Sequence, residues 1–320
     1  MKTTSELTDF YYKTLFPVLE KLEEDRVALK TKIIKVGMGY IFIGVALLVT
    51  LFNYGFNLDI VAFSGIGLGA LGGFLYKHLI KDYTQEFKQT VISPLISELG
   101  EHLHYLPKMH IQQEYFTRSK LFTSDIDRVS GNDYVSGEID GVPIQFSDFH
   151  AEKRHKDSKG RTSWSTIFQG LFIVSEFNKH FHGNTVILPD SAQSTFGDLI
   201  GGWLQSNNVS RDNLVKMDDV EFEKEFVVYA TDQIEARYIL SHSLMKKLLD
   251  FKKRSKQKIY VSFTNKNISL AIAYNKDLFE PSVFHSLLKY KIAMEYVQTL
   301  HLSIGIVEEL KLNKKLWSKL

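Results

Sequence analysis

Two long apolar runs, separated by only seven residues, constrain this chain more than any other feature. Ile33–Phe52 reads IIKVGMGYIFIGVALLVTLF, 20 residues with a single charge, Lys35, near its start. Ile60–Tyr76 reads IVAFSGIGLGALGGFLY, 17 residues with no charge. At the helical rise per residue the first run makes about 30 Å, the thickness of a hydrocarbon core. The second is at the short end of the spanning range, so Leu58 and residues up to Ile80 are expected to extend it. Lys35 can snorkel to the headgroups. A buried hairpin in a soluble protein is the alternative, and two such runs in tandem argue against it.

The connection, NYGFNLD, is turn-like and forces the two helices to be antiparallel neighbours. Lys21, Arg26, Lys30, Lys32 and Lys35 precede or open the first run, Lys77, Lys81 and Lys88 follow the second, and the turn has no cation. Positive charge favours the cytoplasmic side, so both termini are expected inside the cell. The charged first 32 residues do not read as a signal peptide. Gly65, Gly69 and Gly73 recur every four residues on one face of the second span. Small residues there let another helix approach closely, either in a homo-oligomer or within the chain against Gly37 and Gly44.

The flanks read as helical. Thr3 and Glu6 have capping-box spacing. Leu15, Val18, Leu19, Leu22, Val27 and Leu29 form an apolar stripe, with Glu20, Lys21, Glu23, Glu24, Asp25 and Arg26 expected outside. Pro17 stands 16 residues before Ile33 and Pro94 stands 18 after Tyr76. On antiparallel helices both would lie roughly 25 Å beyond the membrane, where paired kinks are expected.

From Tyr105 the apolar period shortens. Alternating stretches around Asp140-Gly141 predict a hairpin, and KIYVSFTN with ISLAIAYN predicts another turning at Asn265–Asn267. TIFQGLFIVSEF, NTVILPD and FEKEFVVYA read as strands, with a looser segment through Gly201-Gly202 between the last two. A helix is expected from Asp232, capped by Thr231, to about Lys253, and another from Pro281 to near Leu310. The expected fold class is therefore α+β: a two-helix transmembrane hairpin, a cytoplasmic helical stalk, and a soluble domain of antiparallel sheet plus helices. The expected divisions are an amphipathic helix over 1–32, spans over 33–52 and 60–80, an external turn over 53–59, a stalk helix over 81–104 and the α+β domain over 105–320.

Chemistry is sparsely signalled. Net charge is +2, which does not call for a nucleic-acid partner, and cysteine is absent, which removes thiolate chemistry and disulfides. Nucleophile elbows, zinc-protease, P-loop and dinucleotide motifs are missing. His180 and His182 are the best metal-ligand pair, sharing a face if extended, but no third ligand follows at a telling spacing, and surface histidines near a turn are the favoured reading. Asp218-Asp219 and Asp125 with Asp127 are weaker acidic pairs. No cofactor is expected. Lys153, Arg154 and Lys156 crowd the tip of the first hairpin, and Lys246, Lys247, Lys252, Lys253 and Arg254 crowd a helix end. Such clusters suit anionic lipid headgroups, against an ordinary solvated loop and cations at a helix C-terminus.

FPVLEKLEEDR, FKQTVISPLISEL, NDYVSGEIDGVPIQFSDFHAE, IFQGLFIVSEFNKHFHGNTVILPD and VEFEKEFVVYATDQIEARYILSHSLMKKLLDF together resemble a bacterial family of two-span membrane proteins. That family is classed only as a domain of unknown function, the DUF3137 type, some of whose members carry the misleading automatic label "galanin". The resemblance covers nearly the whole chain in order. It implies a multi-pass protein of the bacterial inner membrane and a LemA-type membrane protein as a neighbour, and it implies no activity. A non-enzymatic interaction or scaffold module is the preferred expectation. A lipid- or ligand-sensing domain and a membrane-bound hydrolase or metalloenzyme are the alternatives.

Overall fold

The computed structural model describes residues 6, 9–100, 102–139, 141–176, 181–190, 214–274 and 277–288. The fold is α+β, with two long apolar helices near the N-terminus and a nine-stranded antiparallel sheet with short helices after them. Two compact units divide the chain, one within Lys2–Leu95 and Phe279–Glu295, the other within Ile96–Leu278.

In the helical unit, a π turn at Tyr11–Leu15 leads into α1, Phe16–Asn53. After a short turn, α2 runs over Leu58–Phe87, continues through a second π turn at Lys88–Ile92, and passes into α3, Ser93–Leu99. Both helical stretches are long and apolar enough to cross a membrane. The kinks expected at Pro17 and Pro94 take a specific form. Phe16 N–H donates to the Tyr11 carbonyl and Ser93 N–H to the Lys88 carbonyl, five residues back in each case. Proline withholds a donor and crowds the preceding turn, and one wider turn accommodates both effects without breaking the helix.

The two helices meet through a pair of small residues. The Tyr40 hydroxyl donates to the Leu68 carbonyl. A Cβ on Gly72 would lie 3.1 Å from the Tyr40 ring, and one on Gly44 would lie 3.5 Å from Leu68 Cδ1. Gly65, Gly69 and Gly73 have no atom of α1 within 4 Å of their Cβ positions.

Beyond the apolar stretch the stripe on α1 differs from expectation. Leu15, Leu19, Leu22 and Arg26 are buried, while Val27 is exposed. Arg26 turns inward because it is fully engaged. Its Nε and Nη2 donate to the two Glu23 oxygens at 2.8 Å each, and its Nη1 donates to the Val283 carbonyl at 2.6 Å. Leu287 N–H donates back to Glu23 at 2.9 Å, and Lys88 Nζ lies 2.6 Å from Glu280 Oε1. The segment 281–288 is therefore a series of bends and turns, not the start of a helix, because side chains of α1 occupy backbone groups that a helix would need. The remainder of that expected helix, the Thr3 cap and the Gly201-Gly202 segment lie outside the described residues.

The second unit begins earlier than the apolar period suggested. The stalk helix ends at Leu99, and His104 lies on a strand. In chain order the elements are β1 Leu103–Leu106, α4 Gln113–Arg118, β2 Arg128–Ile139, β3 Val142–Lys156, β4 Thr162–Glu176 and β5 Asn184–Pro189. There follow β6 Leu214–Val215, α5 Val220–Glu225, β7 Phe226–Ala230, α6 Gln233–Ile239, α7 His242–Ser255, β8 Ile259–Thr264 and β9 Asn267–Ala273. The strand order is β1-β2-β3-β4-β9-β8-β5-β7-β6, so the late β8–β9 hairpin is inserted between β4 and β5. Both expected hairpins are present as two-residue turns, pairing Ile139 with Val142 and Thr264 with Asn267. FEKEF is split: Asp219 caps α5 by accepting from Phe222 N–H, and the strand starts at Phe226. The helix expected from Asp232 is two helices, capped by Asp232 and Ser241, while Thr231 instead accepts from Asn184 N–H.

An aromatic cluster fixes α4 on the sheet. Phe116 stacks on Phe149 at 4.7 Å and on Phe122 at 5.1 Å, with Phe168 and Phe172 around them. Where β4 meets β9, Gly170 adopts φ +149° and its Cβ position falls 2.0 Å from the Ile272 carbonyl oxygen. Gly170→Ala should therefore lower stability by about 2–4 kcal/mol through backbone displacement. Chemical unfolding of the purified protein checks this, and an unchanged midpoint would contradict the β4–β9 register.

Candidate functional site

A polar cleft of about 330 Å³ lies on the face of β2, β3 and β4. Ser130 and Asn132 come from β2, Asp148 and His150 from β3, Gln169 from β4, and Asp277 from the chain after β9. Alternation along β3 places Asp148, His150 and Glu152 on one side, with Phe149 and Ala151 in the core on the other. Asp148 is buried and accepts from Leu278 N–H at 2.8 Å. His150 Nε2 lies 3.0 Å from Thr166 Oγ1, and Glu152 accepts from Arg128 Nε at 2.7 Å. A second cavity of about 560 Å³ is lined by Met217, Asp219, Arg237, Leu240, His242 and Met245. Asp219 there is a helix cap with His242 3.6 Å away, which accounts for the acidic pair read from the sequence.

The residues singled out in the sequence separate into distinct places. His180 lies outside the described residues, and His182 is exposed with its N–H donating to Glu235 at 3.0 Å. Among the described residues no group of three histidine or carboxylate side chains is placed to hold a metal ion. Lys153, Arg154 and Lys156 lie on the outer half of β3, where Lys153 is 3.9 Å from Asp125 and Arg154 N–H donates to Asp127. On α7, Lys252 donates to the Glu225 carbonyl and Lys253 lies 3.3 Å from Glu221, while Lys246, Lys247 and Arg254 are exposed. Two of the five cations in the helix-end cluster, Lys252 and Lys253, are thus tied to α5 instead of being presented in an open patch.

Sequence reasoning missed the cleft and the Arg128–Glu152 pair because they depend on strand register. The available signal was alternation in FSDFHAE, which sets Asp148, His150 and Glu152 on one face.

Charge tuning is clearest in the helical unit. Burial pushes the Glu23 carboxyl up, but the Arg26 guanidinium, the Leu287 N–H and the Ser286 hydroxyl outweigh it and leave the pKa below its ordinary value of 4.5. Bonding to Glu23 raises Arg26 further against the effect of burial. In the sheet unit burial alone pushes the Tyr260 hydroxyl up to about 12, so it stays neutral in the core.

Two long apolar helices joined to an antiparallel α+β sheet define the class of protein. Residues 166–312 match the family model described as "Protein of unknown function (DUF3137)", in agreement with the resemblance read from the sequence. No curated protein matches the chain. Among solved structures, the crystal structure of the mycobacterial trehalose monomycolate transport factor A, TtfA, is similar over 64% of this chain and 86% of that chain, at 10% identity. The TM-score of that match is 0.34.

Because the Glu23 pKa is lowered in the folded state, its contribution is complete above the ordinary carboxylate value. It is lost as pH falls through the lower, folded value. Acidification below about pH 4.5 should therefore release segment 279–288 before the sheet unfolds. Amide exchange at Leu287 tests this, with Glu23→Gln expected to give faster exchange already at neutral pH. Equal protection in the two proteins would contradict it.

Proposed function

We propose that this protein is a membrane-anchored interaction module without chemistry of its own. In this reading α1 and α2 cross the bacterial inner membrane as a hairpin, both termini are cytoplasmic, and copies associate through Gly65, Gly69 and Gly73. The observation that carries it is apolar surface which the described residues do not cover. Phe42 is 77% exposed, Phe63 73% and Ile66 68%, and the most apolar window of α2 has no buried residue. Leaving such side chains in water costs roughly 2 kcal/mol each, so a few of them would cancel the stability of an ordinary domain. The core helix of a soluble protein is buried, and these are not. Lipid is the solvent that suits them.

The topology rests on charge. Arg26 and Lys88 are committed to ion pairs, but Lys21, Lys30, Lys32, Lys35, Lys77 and Lys81 still flank the hairpin, and the turn between the helices has no cation. Association is supported by the division of labour among the glycines. Contact between α1 and α2 uses Gly44 and Gly72, whereas at Gly65, Gly69 and Gly73 no atom of α1 comes within 4 Å of the Cβ position. A second helix could approach that bare backbone closely. A LemA-type membrane protein is the partner that the family resemblance suggests.

Two measurements test the reading. Protease added to intact spheroplasts should leave the C-terminal unit whole, and digestion there would overturn the topology. A single cysteine at Gly69 should cross-link copies in native membranes. Adding Gly65→Leu and Gly73→Leu should reduce that cross-linking about tenfold, while retention of full cross-linking would remove the stripe as the interface.

A further inference from the structure

The outer halves of β3 and β4 leave the sheet as a two-stranded ribbon. Residues 154–166 are exposed without interruption, on both faces and through the turn. A register shift between Ala151 and Glu152 marks the base of this arm; beyond it Glu152–Lys156 pair with Thr162–Thr166, and pairing with β2 ends at Glu152, opposite Arg128. A ribbon wet on both faces is marginal on its own, and this one is fixed at the tip by Asp157. That carboxylate accepts from the Lys159 and Arg161 N–H groups at 2.9 and 2.8 Å and from Arg161 Nε at 2.9 Å.

Cross-strand pairing sets what each face carries. Arg154 lies opposite Trp164 and Lys156 opposite Thr162, all on one face, with Lys153, His155, Ser163 and Ser165 on the other. At the base of the first face the Arg128 guanidinium sits 4.1 Å above the Trp164 ring, anchored by Glu152. Trp164 is nevertheless 40% exposed. Over residues 153–164 five cations face one carboxylate, which is itself tied to Arg161. Among the described residues no carboxylate forms an ion pair with the side chains of Arg154, Lys156 or Lys159.

We infer that this ribbon is a membrane-surface arm, laying Trp164, Arg154 and Lys156 against anionic lipid headgroups. The inference rests on the membrane-anchored reading above. A tether of two bilayer-crossing helices keeps a charged surface at high effective concentration, and separate cations around one half-exposed tryptophan suit an interface that is apolar below and anionic above.

The absence of cysteine makes Thr162→Cys a unique labelling position beside Lys156. The full chain, carrying a fluorophore there, is reconstituted into nanodiscs containing a doxyl-labelled neutral lipid, with either neutral or phosphatidylglycerol-containing matrix lipid. Emission should fall by about half in the anionic discs relative to the neutral ones. Arg154→Glu with Lys156→Glu, both exposed sites, should abolish that difference. A chain that enters the discs but gives the same emission in both overturns the arm and assigns the ribbon to an acidic protein partner. A chain that stays out of the discs on size exclusion overturns the anchoring reading, and the arm with it.

Discussion

Exposed apolar surface on α1 and α2 governs this molecule. In α1 and α2 every backbone donor except those at the ends is satisfied along the helix, so the only unsettled term is the environment of the side chains. Phenylalanine and isoleucine project outward, while contact between the two helices is made by Tyr40 over Gly72 and Leu68 over Gly44. The polar contact of Tyr40 with the Leu68 carbonyl leaves the backbone of α2 intact because a carbonyl can accept a second bond. The prolines fit the same scheme. Their π turns at Tyr11–Leu15 and Lys88–Ile92 lie well away from the most apolar stretches, where a widened turn can be resatisfied by water or side chains.

The sheet solves a different problem. Its middle strands read as continuous apolar runs, as in IYVSFT and NTVILP, because both faces are covered. With no alternation to set the register, the register is fixed elsewhere: by two-residue turns at one end, and by glycines where backbones come too close for a Cβ. Gly131 and Gly170 serve this role on β2 and β4, each with its Cβ position within 2.2 Å of a neighbouring carbonyl oxygen. The regularity ends at the β3–β4 register shift. Beyond that point the strands lose their cover, and the residues become polar and basic.

What could be read in the sequence was what local pattern controls. The two apolar runs, the hairpins at Gly141 and Asn265, and the α+β class all follow from period and turn chemistry. Missed features depended on partners far along the chain. HLHYLP continues a helical pattern, yet Leu103–Leu106 becomes an edge strand because Val135 and Gly137 offer it a ladder. FEKEF alternates like a strand, but Asp219 is placed to cap a helix there. The run from Asp232 looked like one helix because its apolar positions hardly lose phase across Leu240, and Ser241 is a second cap hidden in the middle. The polar cleft was illegible for the same reason, since Asp148 meets Leu278 only once the fold is complete.

The Glu23–Arg26 pair shows how far a local reading can mislead. Glutamate and arginine three residues apart on a charged helix are ordinarily a solvated pair worth a few tenths of a kcal/mol. Here Arg26 is 6% exposed, since the Val283 carbonyl and the Leu287 N–H arrive from the other end of the chain. Desolvating two ions is expensive, and even a well-formed buried pair often stabilises no more than apolar residues of the same size. Its value lies in direction. Apolar contacts from Phe279 or Val283 would tolerate sliding along the helices, whereas a bidentate pair that also binds one particular carbonyl and one particular N–H tolerates almost none. Lys88 with Glu280 adds a second fixed point on α2's continuation. Hydrophobic burial therefore holds the segment to the helices, and the charges decide where it sits.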